Sequence, residues 1–161
     1  MCKMENKTIQ INYKSCAMSE LSKEDAELVA AAQKATYTSY APYSNFSVGA
    51  AVKLSNGMVM AGSNQENAAF GAGTCAERCT MFYANAAYPD ASICTIAIAA
   101  RGTDGEFTQS PISPCGVCRQ ALIEAQTRAK HPLRVLLYGQ REVLVLNSIS
   151  DLLPFQFDEI V

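Results

Sequence analysis

Positive charge is scarce in this chain: 13 Lys and Arg stand against 15 Asp and Glu, for a formal net charge of -2 and a pI near 5.4. That balance gives no general electrostatic reason to bind a polyanion, so nucleic acid is not an expected partner and a small substrate is the default. Long apolar runs are also missing, which excludes a membrane-spanning helix. Residues 1–20 interleave Lys3, Lys7 and Lys14 with short apolar pieces and never reach the continuous core of a secretory signal, so a cytoplasmic location is expected. Internal repeats and low-complexity tracts are absent. Histidine occurs once, as His131 ahead of Pro132, with no partner motif; at a predicted helix end it reads as structural.

Cysteine is plentiful by contrast, with seven in 161 residues. Without an export signal, such thiols are expected to be free, metal-bound or catalytic rather than paired. The length fits one domain, and 49% hydrophobic with 17% charged residues is ordinary globular composition.

Ser22 and Asp25 form a helix-start signal, and Leu28, Ala31, Ala32 and Ala35 recur at helical spacing up to Ala41-Pro42. Phe46, Val48, Ala50, Val52 and Leu54 alternate as a strand, and Asn56-Gly57 turns the chain into a second one. A helix over 76–87, a buried strand over 93–100, a helix over 115–130 and strands over 135–138 and 143–146 complete the order α-β-β-α-β-α-β-β. Strands separated by helices imply an α/β fold: a three-layer α-β-α sandwich with a mixed five-stranded sheet and helices on both faces. Residues 1–21 precede the first helix, and Ile9, Ile11 and Tyr13 there could add an edge strand, while 22–161 read as one domain.

Cys115 and Cys118 have the C-x-x-C spacing that lets one turn of backbone wrap a zinc ion, although a redox pair, half a zinc finger or two structural cysteines share that pattern. Cys75 adds a third thiol, with Glu77 two residues on. Cys75 and Cys115 each sit where a loop meets a helix N-terminus, where the dipole favours thiolate. Three ligands leave one tetrahedral position open, and hydrolysis there needs a base and an acid, roles that Glu77 can fill in turn. Arg78 and Arg119 each follow one of these residues and are candidates to donate to the ligand sulfurs, which would offset the charge of three thiolates. A rival reading uses Cys79, one turn after Cys75, as a fourth ligand closing a purely structural site.

Cys75-Ala-Glu77-Arg78 together with Pro114-Cys115-Gly-Val-Cys118-Arg119-Gln120 resembles the zinc-deaminase superfamily. All-cysteine ligation, Tyr40-Ala-Pro42-Tyr43-Ser44, Phe46 to Ala50 and Asn64-Gln-Glu66-Asn67 resemble its small homotetrameric cytidine deaminase branch. The resemblance implies one zinc ion per subunit and hydrolytic deamination of cytidine, with deoxycytidine also accepted, in pyrimidine salvage. It implies Asn64 and Glu66 on the ribose hydroxyls, Phe46 on the pyrimidine, Ala76 at the substrate, and Phe70 and Phe157 against a neighbouring subunit. Phe70 stands where many relatives have Tyr. An antibiotic deaminase shares much of the pattern. A phosphate-bearing substrate would want basic contacts, and no basic cluster lies near the motifs beyond Arg78 and Arg119.

Overall fold

The computed structural model describes residues 4–158. Its centre is β4 (Ile93–Arg101), the continuous apolar run, whose Ile96 to Ala100 side chains are fully buried. Such a run needs cover on both faces. Beside it on one side is the hairpin of β2 (Ser47–Leu54) and β3 (Val59–Ser63), on the other β5 (Arg134–Tyr138) and then β6 (Val143–Leu146). The β4–β5 pair is parallel and the other pairs are antiparallel. Parallel neighbours cannot be joined by a tight turn, and the connection here carries α3 (Gly116–Ala129). Gly57, at φ 85, supplies the left-handed residue of the β2–β3 turn.

Among the described residues the sheet has six strands, one more than the five-stranded expectation, in the order β1 (Tyr13–Cys16)-β6-β5-β4-β2-β3. The extra edge strand β1 is Tyr13–Cys16, paired antiparallel with β6 and held further where the Ser15 hydroxyl donates to Glu142. Tyr13 belongs to it; Ile9 and Ile11 lie outside and are exposed. β1 is almost wholly exposed, so it carries no apolar alternation that would betray it.

Alternation along the inner strands divides the core in two. Ala50, Val52, Leu54, Ile96, Ile98, Val135 and Leu137 face α2 (Ala76–Ala87) and α3, packing with Met81, Ala84, Leu122 and Ile123. Ala51, Ala97, Ala99 and Leu136 face α1 (Lys23–Ala35) through Leu28, Val29 and Ala32. These are the three layers. Helix α1 starts as its sequence requires: Ser22 accepts the Asp25 amide at 3.1 Å, and Glu24 and Asp25 occupy the first turn. Lys130, at φ 56 in the left-handed region, ends α3. Placing α2 and α3 on one face sets their N-termini near one another.

Candidate active site

Cys75 is the N-cap of α2 and Cys115 the N-cap of α3, while Cys118 lies in the first turn of α3. Their three Sγ atoms all lie within 4.8 Å of one another, and those of Cys75 and Cys115 are 3.9 Å apart. Zn–S bonds of about 2.3 Å in a tetrahedron put neighbouring sulfurs about 3.8 Å apart, so the donor set and its spacing fit zinc. Cys79 is not in the cluster; its Sγ is directed to β3, 3.6 Å from where a Cβ on Gly62 would stand. The closed four-cysteine reading with Cys79 therefore fails, and among the described residues a fourth coordination position is left free of protein sulfur.

The electrostatics of the three thiols are those of a metal-ready site. Cys75 is pulled down to about 5, chiefly by the hydrogen bond it receives from Cys118, against the opposing effect of burial and with further help from Arg78 and Cys115. Cys118 is correspondingly pushed far up, because it is the donor in that pair and is buried beside Glu77 and Cys75. The two sulfurs thus share one proton, and a cation in its place would be favoured. Arg78 faces Cys75 and Cys118, which supports its charge against the cost of burial, and its Nε is buried without a hydrogen-bond partner among the described residues.

Glu77, only 4% exposed, lies in the first turn of α2 between these groups. Burial raises its carboxyl above the usual range; its own backbone N–H opposes this, the Cys75 charge adds to it, and Cys118 and Arg78 oppose it. A buried carboxyl placed beside the open coordination position can take a proton and return it in turn.

Arg119 corrects an expectation. Its Nε donates to the Pro114 carbonyl at 2.8 Å and its guanidinium to the Leu152 carbonyl at 2.8 Å, so it braces the backbone around the ligand loop rather than a ligand sulfur. Its side chain points along α3 to the C-terminal segment, a placement that adjacency to Cys118 in sequence does not reveal.

Beside Cys75 and Arg78 opens a cavity of about 510 Å³, walled further by Tyr43, Ser44, Asn64, Glu66 and Phe70. Asn64 uses both ends of its amide on the start of β2: Oδ1 accepts the Val48 N–H at 2.8 Å and Nδ2 donates to the Phe46 carbonyl at 2.9 Å. Glu66 Oε2 accepts the amides of Tyr43 at 2.9 Å and Ser44 at 3.3 Å, and its carboxyl is held below the usual range, first by the Ser44 hydroxyl and then by the Tyr43 amide. These two residues therefore build the cavity wall as well as lining it. Phe46 is half-buried just before β2 and does not line this cavity. Ala76, fully buried, opens α2 and accepts the Thr80 hydroxyl on its carbonyl, while its N–H belongs to the unpaired first turn. Phe70 is 85% exposed at the cavity mouth, edge-on to Tyr43 with ring centroids 6.4 Å apart. Phe157 is also exposed.

Sequence reasoning assigned no role to Tyr43 or Ser44, although they stand beside Pro42 in a stretch whose polar and aromatic side chains have no strand or helix period. Gln120 went unassigned too; it clasps the backbone of Phe157, donating from Nε2 to the carbonyl and accepting the N–H on Oε1.

A three-layer α/β domain with three convergent thiols, a buried carboxyl among them and an adjoining cavity defines a zinc-dependent hydrolase. Comparison with known proteins narrows the class. Residues 22–131 match the family model described as "Cytidine and deoxycytidylate deaminase zinc-binding region". The chain is 35% identical over 130 residues to a cytidine deaminase of Halalkalibacterium halodurans, covering 81% of this chain and 91% of that one. It is 39% identical over 133 residues to a cytidine deaminase of Sporosarcina psychrophila, covering 83% and 90%. In three dimensions it resembles the crystal structure of cytidine deaminase from Burkholderia pseudomallei, with a TM-score of 0.70, 42% identity, and coverage of 81% of this chain and 97% of that one. The chain belongs to the cytidine and deoxycytidylate deaminase family, and its cofactor is zinc.

Proposed function

We propose that this chain hydrolyses cytidine to uridine and ammonia, and deoxycytidine likewise, at the site formed by Cys75, Cys115, Cys118 and Glu77. The observation that carries the reading is the burial of Glu77 among three clustered sulfurs, next to a cavity lined by Asn64 and Glu66. The relatives' names supply the nucleoside.

Cys75, Cys115 and Cys118 would hold the zinc ion, which as a Lewis acid would activate water at neutral pH. Glu77 takes a proton from the attacking water and delivers it to N3 of the pyrimidine as oxygen adds to C4. It then carries the second proton of that water to the amino group, so that the C4–N bond breaks, ammonia leaves and the carbonyl of uridine remains. Arg78 faces Cys75 and Cys118 and offsets the charge of three thiolates.

Substrate recognition uses the free capacity of the cavity wall. Both amides bound by Glu66 go to Oε2, which leaves Oε1 for a sugar hydroxyl. The Asn64 amide retains a second N–H and a second lone pair after its two backbone bonds. By likeness to the family Phe46, half-buried just before β2 and outside this cavity wall, would close against the base, and the Ala76 N–H at the start of α2 would meet it in the plane. Among the residues lining the cavity the sole cation is Arg78, which faces the sulfurs, so a substrate phosphate lacks a partner and a nucleoside is favoured over a nucleotide. Exposed Phe70 and Phe157 are contacts in a homotetramer, the enzyme is cytoplasmic, residues 22–161 form its catalytic domain, and it serves pyrimidine salvage.

Ultraviolet monitoring of cytidine, deoxycytidine and free cytosine with the zinc-loaded protein tests this. Cytidine is expected to be converted and cytosine left nearly untouched. Equal efficiency on cytosine overturns the sugar contacts, and no conversion of either nucleoside overturns the assignment.

A further inference from the structure

Helix α3 carries two of the three clustered sulfurs, and one face of it is laced to the end of the chain. Gln126 accepts the Ser148 hydroxyl at 2.9 Å and donates to the Ser150 hydroxyl at 2.8 Å. Nearly two turns earlier, Arg119 donates to the Leu152 carbonyl at 2.8 Å, and Gln120 holds both backbone groups of Phe157. Residues 148–157 therefore run back along α3 toward its N-terminus, and Phe157 lies beside the turn that bears Cys118. We propose that residues 148–157 form a strap that fixes the ligand-bearing turn of α3, with Gln120 and Arg119 as positioning residues for the metal ligands.

The bonding pattern argues for position rather than general stability. Arg119 spans from the Pro114 carbonyl, directly before Cys115, to the strap, so one guanidinium ties the backbone ahead of one ligand and the helix turn of the other to a common support. Gln120 makes its contacts to backbone, a geometry independent of which side chain the strap carries at 157. Most of the core lies elsewhere: Cys118 is buried, but in the single subunit Phe155 is 90% exposed and Phe157 67%, so within its own subunit the outer strap contributes little apolar burial. What it supplies is a fixed anchor at the helix start, where small shifts change the spacing of the sulfurs.

The inference rests on the zinc reading, and zinc content of the full-length protein tests that reading separately. Gln120→Ala, and a chain ending at Pro154, are to be compared with wild type for zinc release to a competing chelator, for metal-free and zinc-loaded melting temperatures, and for size by gel filtration. About 10-fold to 100-fold weaker zinc retention, with the metal-free melting temperature unchanged, is the expected result. Gln120→Glu keeps the acceptor for the Phe157 N–H and loses the donor, so its zinc retention should fall between the two. Gln126→Ala loosens the same segment farther from the ligands and should release zinc at close to the wild-type rate. Wild-type zinc retention in both Gln120→Ala and the truncated chain overturns the strap, as do parallel losses of zinc and metal-free stability in all the variants. A wild-type chain that takes up no zinc overturns the metal reading itself.

Discussion

The sulfurs of Cys75 and Cys115 lie 3.9 Å apart across 40 residues of sequence because each caps a helix on the same face of the sheet. Cys79, on the same helix as Cys75 and only four residues away, is turned toward Gly62 instead. The two positions should separate cleanly on substitution. Cys115→Ala is expected to lose zinc and all turnover, whereas Cys79→Ala should bind one zinc per chain and keep its activity, as measured by metal analysis and the cytidine assay. Zinc loss from Cys79→Ala would return the closed four-cysteine site.

Glu77→Gln keeps the size of a buried side chain in the first turn of α2 and removes its capacity to carry protons. Zinc content and fold should be retained while kcat falls by about 100-fold to 10,000-fold, the range that positioned acid–base groups contribute. Comparable losses in kcat and kcat/KM are expected, since the interaction is one made in the transition state. Turnover at the wild-type rate would exclude the proton shuttle.

Much of this was legible in sequence, for identifiable reasons. Inner strands β2, β4 and β5 alternate or run apolar because both faces of the sheet are covered, and the cysteines mark helix starts that the loops ahead of them announce. The added edge strand was anticipated at Ile9, Ile11 and Tyr13 but lies at Tyr13–Cys16, because an exposed edge strand is selected for pairing rather than burial and its pattern does not fix its bounds. Arg119 misled because its partner, Leu152, is 33 residues away and is a backbone carbonyl, which any side chain at that position would present. The wall-building bonds of Asn64 and Glu66 were hidden in the same way: Val48, Phe46, Tyr43 and Ser44 meet them through main-chain groups, which leave no trace in residue type.

Glu66 should also govern how cytidine binding weakens in acid. Its carboxyl lies below its ordinary value because the ionised form accepts the Ser44 hydroxyl and the Tyr43 amide. A group depressed in the folded state contributes stability above its unfolded value of 4.5 that is lost as pH falls through the lower folded value. The 43–44 turn should therefore hold its place at neutral pH and loosen only under stronger acid than an ordinary carboxylate would require. In Glu66→Gln, KM for cytidine should rise and the part of the acid loss that belongs to this turn should disappear, as a series of KM measurements from neutral pH downward would reveal. An unchanged acid dependence of KM in Glu66→Gln would remove the group from that role.

Gly49 is where the α1 layer comes closest to the sheet. A Cβ there would collide with the Ala32 carbonyl oxygen and come within 2.7 Å of the Thr36 amide nitrogen, both backbone atoms that cannot rotate aside. Helix α1 would have to lift from β2, opening the packing of Ala32 and Ala35. Overpacking of this kind costs about 1–3 kcal/mol, so Gly49→Ala should lower the melting temperature by about 2–12 °C in a domain of this size. The damage should also reach the cavity, because Val48, the neighbour of Gly49, donates its amide to Asn64. KM for cytidine should rise while zinc content stays at one per chain, since the sulfurs hang from α2 and α3 on the opposite face. A Gly49→Ala protein with wild-type melting temperature and KM would show that α1 can retreat without disturbing β2.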